Sequence, residues 1–117
     1  MVVDDDPYIL ITIREIFEPL GFSVFTVNDG KTCISELKNG FRGVILMDIM
    51  MPIMNGWETL REIVKQDLVN DNIISIVTAK DEPDPDIHEF KDYIRDYITK
   101  PFEPDEIVQI VNSYLEN

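Results

Sequence analysis

The chain has 117 residues, enough for one compact domain whose core needs no disulfide or metal staple. Its 44% hydrophobic content argues against disorder, and no apolar run approaches the length of a membrane span. Acidic residues outnumber basic ones 23 to 10, and the net charge of −13 repels nucleic-acid phosphates, so direct DNA or RNA binding is not expected. The lone Cys33 excludes an internal disulfide or a thiolate metal cage. It falls in an apolar-periodic stretch and is expected to be a small buried side chain, which suits a reducing interior. No signal-peptide pattern opens the chain, so a cytoplasmic location is the expectation.

In chain order, Met1–Val3 reads as a short first strand running into Asp4-Asp5-Asp6. So little precedes Val2 and Val3 that Met1 need not be the natural start. Ile9, Ile13, Ile16 and Leu20 then repeat at helical spacing, with Asp6 as N-cap, Pro7 at the first helical position and Gly21 as the stop. Phe22–Val27 reads as the second strand. Asn28-Asp29-Gly30 opens a helix carrying Cys33, Ile34 and Leu37, which Asn39-Gly40 closes. The third strand is Val44–Met47, followed by a helical stripe of Trp57, Leu60, Ile63, Val64 and Leu68, and the fourth strand is Ile73–Val77. Pro83 and Pro85 delay the next helix, because a residue before proline avoids the α region. Asp84 is then placed to cap a helix of about two turns starting at Pro85. His88, the only histidine, lies in that helix among charged residues and reads as a solvated surface side chain. Tyr97–Ile98 forms the fifth strand, and Pro104 starts a last helix with Ile107, Ile110, Val111, Tyr114 and Leu115 on its core face.

Strands alternating with helices imply a parallel sheet covered on both faces. Right-handed crossovers make a doubly wound five-stranded sheet of order 2-1-3-4-5, a flavodoxin-like α/β fold, the expected architecture. In such a sheet ligands bind at the carboxyl ends of the strands, beside the switch point between strands 1 and 3.

The residues at those ends carry the chemistry. Three consecutive aspartates can be no more than a solvated turn with a helix cap, and Asp6 fits the cap. Strand alternation, however, cannot point both Asp4 and Asp5 away from the sheet edge. Asp48 follows four apolar residues and falls beside them if strands 1 and 3 are neighbours. Three carboxylates together repel unless a cation neutralises them, and an all-oxygen set suits Mg²⁺. Thr78 and Lys100 end strands 4 and 5; each alone is ordinary surface, but together they bring a hydroxyl and an ammonium to the same edge. That set suits an incoming phosphoryl group.

Val2-Val3-Asp4-Asp5-Asp6-Pro7, Met47-Asp48-Ile49-Met50-Met51-Pro52-Ile53-Met54-Asn55-Gly56, Thr78-Ala79 and Lys100-Pro101-Phe102 resemble, in order and spacing, the signatures of response-regulator receiver domains of two-component signalling. The resemblance extends over essentially the whole chain and implies one receiver domain over residues 1–117. It implies that Asp48 is the phosphoacceptor, taking its phosphoryl group from a phosphohistidine as an aspartyl phosphate. Asp5 and Asp48 are implied to ligate Mg²⁺ directly, with Asp4 acting through water and the Met50 backbone carbonyl completing the set. Lys100 is implied to pair with the phosphoryl oxygens and Thr78 to bond one of them after transfer. Tyr97 matches an aromatic switch position, though a plain core aromatic explains it equally well. Met50 and Lys80 match positions that tune dephosphorylation, and Lys100–Pro101 matches a peptide that is usually cis.

The implied partners are a sensor histidine kinase or histidine phosphotransfer protein and a downstream effector or output domain, with neither nucleic acid nor membrane bound directly. Such a protein catalyses its own phosphorylation and dephosphorylation without being a conventional turnover enzyme. The competing reading is a pseudo-receiver, a phosphorylation-independent interaction module; the intact Asp4, Asp5, Asp48, Thr78 and Lys100 set argues against it. A nucleotide- or flavin-binding protein of the same fold lacks its glycine-rich phosphate loop here. The sequence departs from the family at Tyr93-Ile94, where a Gly-Ala pair is common, so a different connection into the fifth strand is expected.

Overall fold

Apolar runs too short and too continuous to be amphipathic pair side by side, and the helical segments between them return the chain each time to the same end of the sheet. In the computed structural model, which describes residues 1–79 and 86–116, the strands are β1 (Val2–Val3), β2 (Thr26–Val27), β3 (Gly43–Met47), β4 (Asn72–Thr78) and β5 (Ile94–Thr99). All pairings are parallel, in the order β2-β1-β3-β4-β5. The helices are α1 (Pro7–Phe17), α2 (Gly30–Lys38), α3 (Gly56–Lys65), α4 (Asp86–Phe90) and α5 (Pro104–Leu115), with a 3₁₀ turn over Glu18–Leu20. The doubly wound α/β sheet expected from the sequence is the one observed.

Alternation along the strands divides the core into two layers. Val2 and Leu46 pack with Ile13, Phe17, Ile107 and Val111 under α1 and α5. Val3, Ile45 and Met47 pack on the opposite face with Cys33, Leu37, Trp57, Leu60 and Ile63 from α2 and α3. Cys33 is fully buried, and burial pushes its thiol up to about 12, so it is an inert core residue.

The caps follow the sequence. Asp6 accepts the Tyr8 amide at 2.9 Å with Pro7 beginning α1, and Asp29 accepts the Thr32 amide at 2.7 Å at the start of α2. Gly21 adopts φ 93°, a left-handed conformation that ends the 3₁₀ turn at little cost only for glycine. His88 is exposed on α4, as expected. The Tyr93 amide closes α4 on the Phe90 carbonyl at 2.8 Å, and no described residue of this connection takes a positive φ, so the link into β5 dispenses with glycine.

Two expectations are corrected. The second strand spans only Thr26–Val27 rather than Phe22–Val27, because β1 offers just two residues as partners. Leu115 is not a core residue: at the end of α5 it is 56% exposed, whereas Ile107, Val111 and Tyr114 are buried. Lys80, Pro83, Asp84 and Pro85 lie outside the described residues.

Candidate functional site

Backbone ladders deliver the acidic side chains to one point. The Asp4 amide donates to the Val27 carbonyl at 3.2 Å and the Asp48 amide to the Val3 carbonyl at 2.9 Å, so the sheet's hydrogen bonding continues one residue past the strands. The carboxylates of Asp4, Asp5 and Asp48 consequently offer oxygens that all lie within 4.8 Å of one another, the one such group of acidic, histidine or cysteine side chains among the described residues. Asp4 and Asp48 are buried at 2% and 6% exposure while Asp5 is open to solvent, which gives the cluster a closed floor and an open mouth.

Lys100 reaches this cluster from the far side. Its amide donates to the Thr78 carbonyl at 2.8 Å, which locks the β5 exit against the end of β4, and the Lys100–Pro101 peptide is cis. The Lys100 Nζ donates to Asp4 Oδ2 at 2.6 Å and lies 3.5 Å from Asp48 Oδ2. The other oxygens also have partners: Asp4 Oδ1 accepts the Asp6 amide at 2.9 Å, and Asp48 Oδ1 accepts the Met50 amide at 3.1 Å. Burial pushes the Asp4 carboxyl above the usual carboxylate range, against the pull of the Lys100 hydrogen bond and the Asp6 amide and with a further push from Asp48.

One ammonium facing three carboxylates leaves the site short of positive charge. Its donors are all oxygens, partly buried and partly open, the chemistry of a hard divalent cation that retains some water.

The loop after Asp48 is pinned by the start of α3. Gly56 donates to the Ile49 carbonyl at 3.1 Å, and a Cβ at this position would stand 2.5 Å from the Asp48 carbonyl oxygen, so only glycine allows the close approach. Asn55 caps α3, accepting the Glu58 amide at 2.8 Å while Glu58 accepts the Asn55 amide at 3.0 Å. This capping box was legible as Asn-x-x-Glu ahead of an apolar stripe but is absent from the sequence reading above.

The remaining residues are placed as follows. Thr78 is fully buried at the carboxyl end of β4, opposite Thr99. Tyr97 pairs with Ile76 and packs, partly buried, against the α2–α3 layer of the core. Met50 is 58% exposed beside the site, so it faces solvent more than it covers Asp48. Lys100 stands closer to Asp4 than to Asp48, a preference that the resemblance did not imply.

Comparison with known proteins agrees with this geometry. The family model described as response regulator receiver domain matches residues 1–112. The response regulator SaeR of Staphylococcus aureus (strain USA300) is 35% identical over 115 residues, which is 98% of this chain and 49% of SaeR, so the chain spans about half of that relative's length. Among solved structures, the CheY-like response regulator receiver domain protein of Methanospirillum hungatei JF-1 superposes with a TM-score of 0.90 at 39% identity, covering 97% of this chain and 90% of that one. The receiver domain of Francisella response regulator 1452 gives a TM-score of 0.82 at 34% identity, with 96% and 91% covered. The response regulator TrrA of Thermotoga maritima, solved in complex with Mg²⁺-BeF, gives 0.80 at 26% identity, with 96% and 94% covered.

Proposed function

The chain belongs to the response regulator receiver domain family of two-component signalling, and from that membership we propose that it is an active phosphoacceptor with Asp48 as the nucleophile. The observation that carries the reading is the convergence of Asp4, Asp5, Asp48 and Lys100 at the carboxyl edge of the sheet. In the transfer, a carboxylate oxygen of Asp48 attacks the phosphorus of a phosphohistidine on a sensor kinase or histidine phosphotransfer protein. The P–N bond breaks, and its electron pair leaves with the imidazole, which takes up a proton.

Asp4, Asp5 and Asp48, with the Met50 carbonyl, would hold Mg²⁺, and the set of clustered oxygens fits that ion. When bound, the ion neutralises charge on the phosphoryl oxygens. Lys100, now shared between Asp4 and Asp48, is within reach of a phosphoryl group added to Asp48 and would neutralise a second share of its charge. Thr78 would donate its hydroxyl to a phosphoryl oxygen, and Tyr97 behind it would move with that bond, carrying the change toward the surface read by a downstream effector or output domain. Met50 and Lys80 are the positions from which the rate of hydrolysis would be tuned.

The test is direct. Incubation with Mg²⁺ and acetyl phosphate, followed by intact mass measurement, is expected to give one phosphoryl adduct that is absent from Asp48→Asn and from samples held in EDTA. No adduct on the unmodified chain would instead identify a phosphorylation-independent interaction module.

A further inference from the structure

The loop from Asp48 to α3 contains a backbone conformation that needs support from outside. Ile53 takes φ 67°, the left-handed region that a β-branched side chain enters only at a cost. The Met54 amide closes a three-residue turn around it on the Pro52 carbonyl at 2.7 Å. The Ile53 side chain is fully exposed, so burial offsets none of the strain. Such a turn persists only where its surroundings fix both flanks.

One flank is held by Gly56, whose amide donates to the Ile49 carbonyl. The other is held by α2, a helix that supplies no residue to the acidic cluster. A Cβ on Gly30, the first residue of α2, would collide with the Thr59 hydroxyl oxygen and stand 3.1 Å from Met54 Sδ and 3.2 Å from Thr59 Cβ. One hydrogen of Gly30 therefore faces the Thr59 oxygen, with the Met54 thioether beside it.

Thr59 is completely buried, and its hydroxyl donates to the Asn55 carbonyl at 2.9 Å. That carbonyl also accepts the Thr59 amide at 3.0 Å, so it would keep a partner without the hydroxyl. What the hydroxyl adds is contact. It stands between Gly30 and Asn55 and carries the position of α2 onto the end of the loop that begins at Asp48.

We propose that Gly30 and Thr59 are positioning residues for the phosphoacceptor site. By seating α2 against Met54 and Asn55 they hold the strained turn, and through it they set the Met50 carbonyl relative to the Asp48 carboxylate. This inference rests on the reading of Asp4, Asp5, Asp48 and the Met50 carbonyl as a Mg²⁺ site.

Thr59→Ala, Thr59→Ser and the pair Gly30→Ala with Thr59→Ala separate positioning from packing. Both single changes shorten a buried side chain and lower Tm, but only Thr59→Ala removes the oxygen. Thr59→Ala is expected to weaken Mg²⁺ binding about tenfold, the usual cost of losing a group that supports a metal ligand. It should also speed hydrogen exchange at the Met54 amide in the metal-free chain. Thr59→Ser is expected to recover both. In the paired variant the new methyl takes the space of the lost hydroxyl while the flexible Met54 thioether yields, so Mg²⁺ affinity should exceed that of Thr59→Ala alone. Equal Mg²⁺ affinity in the unaltered and Thr59→Ala chains, a Thr59→Ser chain as impaired as Thr59→Ala, or a paired variant no better than Thr59→Ala would each overturn the proposal and leave the Mg²⁺ site standing. An unaltered chain that binds no Mg²⁺ would overturn the reading of the site, and this inference with it.

Discussion

Lys100 is the residue on which the charge balance of the site turns. A buried Asp4 carboxyl next to a second buried carboxyl on Asp48 is tolerable because the ammonium stands 2.6 Å from one and 3.5 Å from the other. The same ammonium competes with any cation for those oxygens and, by our reading, later serves the phosphoryl group. Lys100→Gln is therefore expected to slow phosphoryl uptake from acetyl phosphate by about 10²-fold, the usual cost of losing one charge-stabilising donor. Mg²⁺ should meanwhile bind at least as tightly, because its competitor has gone. Calorimetric Mg²⁺ titration alongside the phosphorylation time course separates the two effects. Loss of both together would mean that Lys100 holds the carboxylates in place rather than meeting the phosphoryl group.

Among the elements, β5 and α5 share a polar connection that the apolar pattern of either would not disclose. Ile74 pairs with Ile94 and Ile76 with Tyr97, so β5 carries one extra residue, a bulge that turns the Asp96 amide to Ser75 Oγ at 3.2 Å. Tyr114 of α5 lies 2.6 Å from that same Ser75 hydroxyl and donates to Asp96 Oδ2 at 2.5 Å, with the Arg95 guanidinium over its ring. Burial and the hydrogen bond to Asp96 push the phenol from 10.0 up to about 12. Between these values the folded chain keeps a proton that the unfolded chain has released, so stability falls as pH rises. The contribution is complete below about pH 10 and lost as pH approaches 12. Tm measured from pH 9 to 12 should show this fall, and Tyr114→Phe should flatten it while lowering Tm at neutral pH. An equally steep fall in the Tyr114→Phe chain would place the titration elsewhere.

For the whole molecule the governing quantity is a net charge of −13 on a body with a radius of gyration of 13.2 Å. At about 0.01 M salt the Debye length is roughly 30 Å, so every carboxylate feels the rest; at about 0.15 M it is roughly 8 Å and only neighbours interact. Self-repulsion destabilises the folded chain in the first regime. Tm is accordingly expected to rise by a few degrees between these two concentrations of NaCl, and apparent Mg²⁺ affinity to fall over the same range as the attractive field is screened. A Tm independent of salt would show that the acidic side chains are already neutralised pairwise.

The architecture and the placement of the candidate site residues were legible in the sequence for one reason: both depend on local pattern. Apolar runs, helical stripes, the caps at Asp6 and Asp29 and the stop at Gly21 specify elements through interactions within a few residues, and βαβ handedness then orders the strands. Asp4, Asp5, Asp48, Thr78 and Lys100 could be assigned to one edge because they fall at the ends of those elements. What only the tertiary structure decided depends on distant segments meeting. The preference of Lys100 for Asp4 depends on side-chain reach across two strands, and the exposure of Leu115 on where α5 outruns the layer beneath it. The short extent of β2 depends on how many residues a neighbouring strand supplies. Hydrogen bonds between strands belong to pairs of segments, and no single segment's pattern records whether its partner is long enough to complete them.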